Sequence, residues 1–245
     1  MIEQKNEEIR IDDETTETAI IPVSVIHEPP KVKGPIFARI LSFALHPLLM
    51  VVYVITFIFI YTDFKFLYGN QFIQFIAPAF FLSCAIPLSG IYTLKVTKLI
   101  LDYEFRKGER FLPFSIFFFS YGLLFYYFFS AKLTIWFLAV LAVPMMLFLI
   151  YAFVSMFWKI SVHMIGIGGL IGSIMSICYN IKGLNLYVLF IILFILAGCL
   201  GVSRLALNRN TPAQVYVGFL VGIVVSYLTV WIGAYWGIVI FLKNL

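Results

Sequence analysis

The stretch Leu133–Phe157 reads LTIWFLAVLAVPMMLFLIYAFVSMF and runs directly into Trp158-Lys159-Ile160-Ser161-Val162-His163. It contains no Asp, Glu, Lys, Arg or His. A helix rising about 1.5 Å per residue needs about 20 apolar residues to cross the ~30 Å hydrocarbon core of a bilayer, and this run exceeds that. It has no polar stripe of the kind a surface helix of a water-soluble domain carries. It reads as a membrane span, with a polar island at its end. Runs of the same character occupy 40–61, 72–94, 112–130, 161–179, 186–207 and 213–240. The expected fold is all-α, a polytopic transmembrane helix bundle of about 6–7 spans, with Ala131-Lys132 closing a helical hairpin between 112–130 and 133–157.

Composition agrees with this reading. Of 245 residues, 62% are hydrophobic and 12% charged, where a soluble domain has about half and about a quarter. Mean hydropathy is +1.02. Cys84, Cys178 and Cys199 all lie in apolar runs, without metal-ligand or disulfide-framework spacing, and read as packing residues. Gly168 and Gly172, and again Gly218 and Gly222, stand four apart within spans. That spacing predicts close helix crossings and not a nucleotide loop.

Charge divides the chain. Residues 1–36 hold eight of the twelve acids and four bases; from residue 37 onward there are thirteen Lys/Arg and four Asp/Glu. The first part reads as a disordered acidic tail (1–36), broken by Pro22, Pro29 and Pro30. Its acidic start differs from the basic start of a signal peptide. Residues 37–245 form the membrane domain. The bases there are scattered over loops, a pattern of topology and anion binding and not of nucleic-acid recognition.

Three polar islands interrupt the apolar pattern: Arg110-Phe111-Leu112-Pro113, Lys159 to His163, and Ser203-Arg204 followed by Asn208 to Gln214. Counting spans puts all three at one face. Nine membrane-part bases fall on that face (Arg39, Lys95, Lys98, Arg106, Lys107, Arg110, Lys159, Arg204, Arg209) and four opposite (Lys65, Lys132, Lys182, Lys243). The excess of bases predicts a cytoplasmic island face and tail, with the bacterial inner (cytoplasmic) membrane as the expected location. Ionisable residues at membrane edges are costly and mark function. Arg and Lys hold anions, Ser donates a hydrogen bond and His moves protons, so the islands predict a phosphate site.

In order and spacing the islands resemble the signature of the type 2 phosphatidic acid phosphatase superfamily. Its integral membrane enzymes carry KxxxxxxRP, PSGH and SRxxxxxHxxxD. The resemblance covers roughly residues 40–235. Arg110 matches the arginine of the first motif, although Tyr103 stands at the lysine position. Ser161 and His163 match the serine and histidine of the second, and Ser203-Arg204 opens the third. The resemblance implies a general-acid role for His163 and a nucleophile six residues after Arg204. That slot is Asn210, which departs from the pattern, as does the orienting position, Gln214. An amide is no substitute for the imidazole nucleophile, but Asn and Gln can still hydrogen-bond an oxyanion.

The resemblance thus implies a phosphate pocket in which Arg110, Lys159 and Arg204 clamp the anion, Ser161 and Asn210 bond it, and His163 is the acid. No metal or other cofactor is implied. The expected partner is a phosphorylated lipid or isoprenoid in the membrane. Two functions stay open: hydrolysis of lipid phosphates or polyprenyl phosphates, or a catalytically impaired relative that binds a phospholipid or a partner protein. His46, followed by Pro47 in the first span, reads as a capping or packing histidine, with a replacement nucleophile as the alternative.

Overall fold

A computed structural model describes residues 35–97, 111–184 and 186–243. The acidic tail and Arg110 lie outside the described residues. Among the described residues the structure is helical, without strands. In chain order the helices are α1 (Ile36–Ala44), α2 (Met50–Tyr61), α3 (Phe64–Tyr68), α4 (Phe72–Phe80), α5 (Ile86–Val96), α6 (Phe111–Ser130), α7 (Ile135–Phe157), α8 (Val162–Ser176), α9 (Tyr187–Ala206) and α10 (Pro212–Lys243). Six stretches are long and apolar enough to cross a membrane, and α6 adds a shorter apolar helix over Ser115–Ser130. The protein is an integral membrane helical bundle, with a helix at each of the seven predicted spans.

Two of the expected spans are not single helices. The first breaks after Ala44. Pro47 has no N–H to continue the ladder, so a 3₁₀ turn, Pro47–Leu49, joins α1 to α2. The second holds Pro78 and Pro87 and relaxes through a π turn, Phe81–Ala85, between α4 and α5. The two irregular places meet. Ser83 Oγ and Cys84 Sγ donate to the Leu48 carbonyl at 3.1 and 3.2 Å. The Leu48 carbonyl beside the break therefore has side-chain partners inside the bundle, where water cannot supply them.

At the bundle centre lies the span containing α8, 72% of which is buried against 28–50% for the others. Its glycines explain how. A Cβ on Gly168 would run into the Phe219 carbonyl, one on Gly172 into the Ile223 carbonyl, and one on Gly222 into the Ile165 carbonyl. The backbones of α8 and α10 thus touch at the predicted small-residue spacing. Gly172→Leu is expected to destabilise the protein by at least the 1–3 kcal/mol typical of overpacking, because backbone must yield. Thermal unfolding in detergent checks this. Gly198→Leu, where a Cβ meets nothing within 4 Å, is the matched control and should leave the midpoint unchanged.

The bundle ends sort as the span count predicts. Asp63, after α2, pairs with Lys182, after α8, at 3.1 Å. The second and third described islands gather elsewhere, at the start of α8 and the junction of α9 with α10.

Candidate functional site: a basic cavity at one end of the bundle

The α9–α10 junction is built by local rules. Asn208 takes a left-handed conformation (φ 51°) that ends α9, a geometry Asn tolerates better than most residues. Pro212 then starts α10, where its missing N–H costs nothing. Thr211-Pro212-Ala213-Gln214 forms half of a capping box: Gln214 Oε1 accepts the Thr211 N–H at 3.1 Å. The same oxygen accepts Asn210 Nδ2 at 3.2 Å.

Asn210 joins the second and third islands. Its Oδ1 accepts Arg204 Nε at 3.1 Å and Ser161 Oγ at 3.2 Å. The Ser161 N–H donates to the Gln214 backbone carbonyl at 3.4 Å. Ser161 occupies the N-cap of α8 but makes no side-chain cap bond. Only 1% of it is exposed, so its hydroxyl is committed to the interior network. The chain Gln214–Asn210–Arg204 therefore orients the guanidinium through a fixed amide.

His163 stands one residue into α8, and its ring meets that of His46 edge to face, with centroids 5.3 Å apart and planes at 81°. His46 caps the 3₁₀ turn: its Nδ1 accepts the Leu48 N–H at 3.3 Å. A neutral His46 in that arrangement carries its proton on Nε2. The Ser42 backbone of α1 lies beside the His163 ring, and Arg204 is within electrostatic reach of both rings. Beside them, Ser42 Oγ is a buried polar atom without a hydrogen-bond partner among the described residues, a rare state that marks places where a water or ligand group fits.

These groups border one cavity of about 700 Å³. Lys159, His163, Arg204, Arg209, Asn210 and His46 line one side of it. Leu88, Ile91, Phe117 and Phe148 give it an apolar wall from α5, α6 and α7. The structure thus brings together Lys159, His163, Arg204 and Asn210 on the wall, with Ser161 and Gln214 behind it as bonded supports. His46 does cap and pack, as expected, and it also borders the cavity. Its membership was not evident from the islands, whereas Arg209 belongs to the third island without having been an expected site residue. The proline after His46 was the one local signal, since it forces the break that turns the ring inward. Among the described residues no cluster of three or more His, Cys, Asp or Glu could hold a metal ion.

Fold and site together define a class: a polytopic helical membrane protein with a basic, histidine-bearing cavity at one end of its bundle. Comparison with family models, with curated proteins and with solved structures finds no match.

Proposed function

We propose that the protein binds the phosphorylated headgroup of a lipid or isoprenoid in this cavity, at the cytoplasmic face of a bacterial inner membrane. It does so without forming a covalent phosphoenzyme at position 210. The observation that carries the reading is the convergence of Lys159, Arg204 and Arg209 with two imidazoles on one side of a cavity whose other side is apolar. Cations and N–H donors are the chemistry of an oxyanion site. The apolar wall suits an amphiphile better than a free ion. Asn210 supports the non-covalent reading: its amide is held by three hydrogen bonds and has no nucleophilic nitrogen. In this reading it is a positioning residue for Arg204.

Hydrolysis is the second reading, favoured by the His46–His163 pair. A neutral His46 presents an Nε2–H, and two adjacent imidazoles on one cavity could divide a nucleophilic and a proton-donating role.

The test compares an alkyl phosphate with the alcohol of the same chain length, added to the detergent-solubilised protein. The phosphate is expected to raise the unfolding temperature and the alcohol to leave it nearly unchanged. Equal shifts would mean that the cavity reads the chain alone and would overturn the headgroup reading. Phosphate release measured on the same samples separates the two readings: none is expected for the binding function.

A further inference from the structure

Behind the basic cavity lies a second, apolar space. It shares four wall residues with the first: Pro47, Phe148, Tyr151 and Val162. From there it runs inward between α2, α6, α7 and α8, bounded at its far end by Val54, Val140 and Ser173. Two helices measure its depth independently. Val162 to Ser173 on α8, and Tyr151 back to Val140 on α7, are both eleven residues. At about 1.5 Å per residue each gives roughly 16 Å. The slot is narrow: the centre of a water-sized sphere can move through only about 60 Å³ of it, against about 700 Å³ in the basic cavity, while the space between its wall atoms totals about 610 Å³.

Packed interiors rarely keep such space, because an unfilled apolar void forfeits contacts and stability. Most of the wall is itself well buried, including Met50, Val51, Val54, Tyr121, Val140 and Val143, so the slot is no fold in the outer surface. It is nearly free of polar groups and opens toward the cavity that holds the basic side chains and the histidines. Pro47 stands at the junction, since the break it forces separates α1 from α2, and Gly166 lets α8 approach it: a Cβ there would lie 3.1 Å from the Pro47 Cα.

We infer that the slot receives one hydrocarbon chain of the phosphorylated amphiphile, so that the ligand is held at both ends, with its phosphate among Lys159, Arg204 and the histidines and its chain inside the bundle. This rests on the headgroup reading above. The depth fits about a dozen carbons of an extended chain, at ~1.3 Å each from tetrahedral C–C geometry. The width admits one chain, so a second chain of a two-chain lipid stays in the bilayer.

A photochemical ruler tests it. Alkyl phosphates carrying a diazirine at carbon 6 or carbon 12 are irradiated with the protein in detergent, and the labelled residues are mapped by mass spectrometry. The carbon-6 probe is expected to label midway along the slot, around Leu147, Ile165 and Gly166, and the carbon-12 probe around Val54, Val140 and Ser173. An excess of unlabelled alkyl phosphate should suppress both by tenfold or more. Val140→Phe, which plugs the far end, should abolish carbon-12 labelling there and keep carbon-6 labelling, which also shows that the variant is folded. Competable carbon-12 labelling on lipid-facing residues such as Phe153 or Ile195, with heat protection by the phosphate intact, would overturn the slot and leave the headgroup reading standing. Labelling that the alcohol suppresses as well as the phosphate would overturn the headgroup reading itself.

Discussion

Asn210→His is expected to give the protein a phosphoryl-transfer activity that the wild type lacks. Position 210 lines the basic cavity beside Arg204 and His163, and a histidine there would stand four residues before Gln214, just ahead of α10. The Gln214 Oε1 now accepts Asn210 Nδ2 at 3.2 Å, and it could accept an imidazole N–H in the same way, leaving the second ring nitrogen as nucleophile. The new nitrogen would form a bond to phosphorus as the phosphorus–oxygen bond to the lipid breaks. His163 would give its proton to the departing oxygen, and water would then cleave the phosphohistidine. General acid catalysis contributes about 10²–10⁴-fold, so His163→Ala in the Asn210→His background should lower the regained rate by that factor.

A carboxylate at 214 should raise the regained rate further, because it stabilises an imidazolium better than an amide does. The geometry favours Glu over Asp for this. Gln214 already reaches the Thr211 N–H at 3.1 Å, and the shorter Asp would lose the capping bond. Release of inorganic phosphate and acid-labile phosphohistidine are the measurements. Vigorous hydrolysis by the wild type would refute the impaired reading. In that event the His46–His163 pair on the same cavity is the first place to seek the nucleophile, through His46→Ala and His163→Ala separately.

Arg204→Ala is expected to remove most of the heat protection that an alkyl phosphate confers. A ligand at about 100 times its Kd stabilises a protein by about 2.7 kcal/mol, and a charge-assisted clamp accounts for much of that affinity in a low-dielectric site. Arg204→Lys should keep part of it. The positive charge remains, but the Nε bond to Asn210 at 3.1 Å has no counterpart in lysine, and the planar fork is lost. An alanine variant with full protection would make this arginine a structural residue that holds the α9–α10 junction. The phosphate would then have to be bound by Lys159 and Arg209.

The sequence by itself determined where the apolar helical segments lie along the chain. Charge-free runs such as 133–157 have one stable solution in a bilayer, a helix that satisfies its own backbone. The α8–α10 crossing was legible for a similar reason, since glycines four apart put a bare backbone strip on one helix face. Lys159, His163, Arg204 and Asn210 were also readable as one site, because ionisable groups at the ends of apolar runs have few places to go.

Only the tertiary structure decided the contacts these residues make. Gln214, expected from the resemblance to be an orienting residue, closes a capping interaction with Thr211. Ser161, expected on the anion, is buried and bonded to Asn210 instead. His46 faces His163 across 117 positions of sequence, a contact that no local pattern encodes. It depends on where Pro47 breaks the first span and on how Ser83 and Cys84 hold the Leu48 carbonyl. The apolar slot was equally hidden, because every residue on its wall reads as ordinary core. Span placement follows from each segment's own transfer free energy, whereas cavities and polar networks are set by how neighbouring segments pack, which is a property of pairs and not of runs.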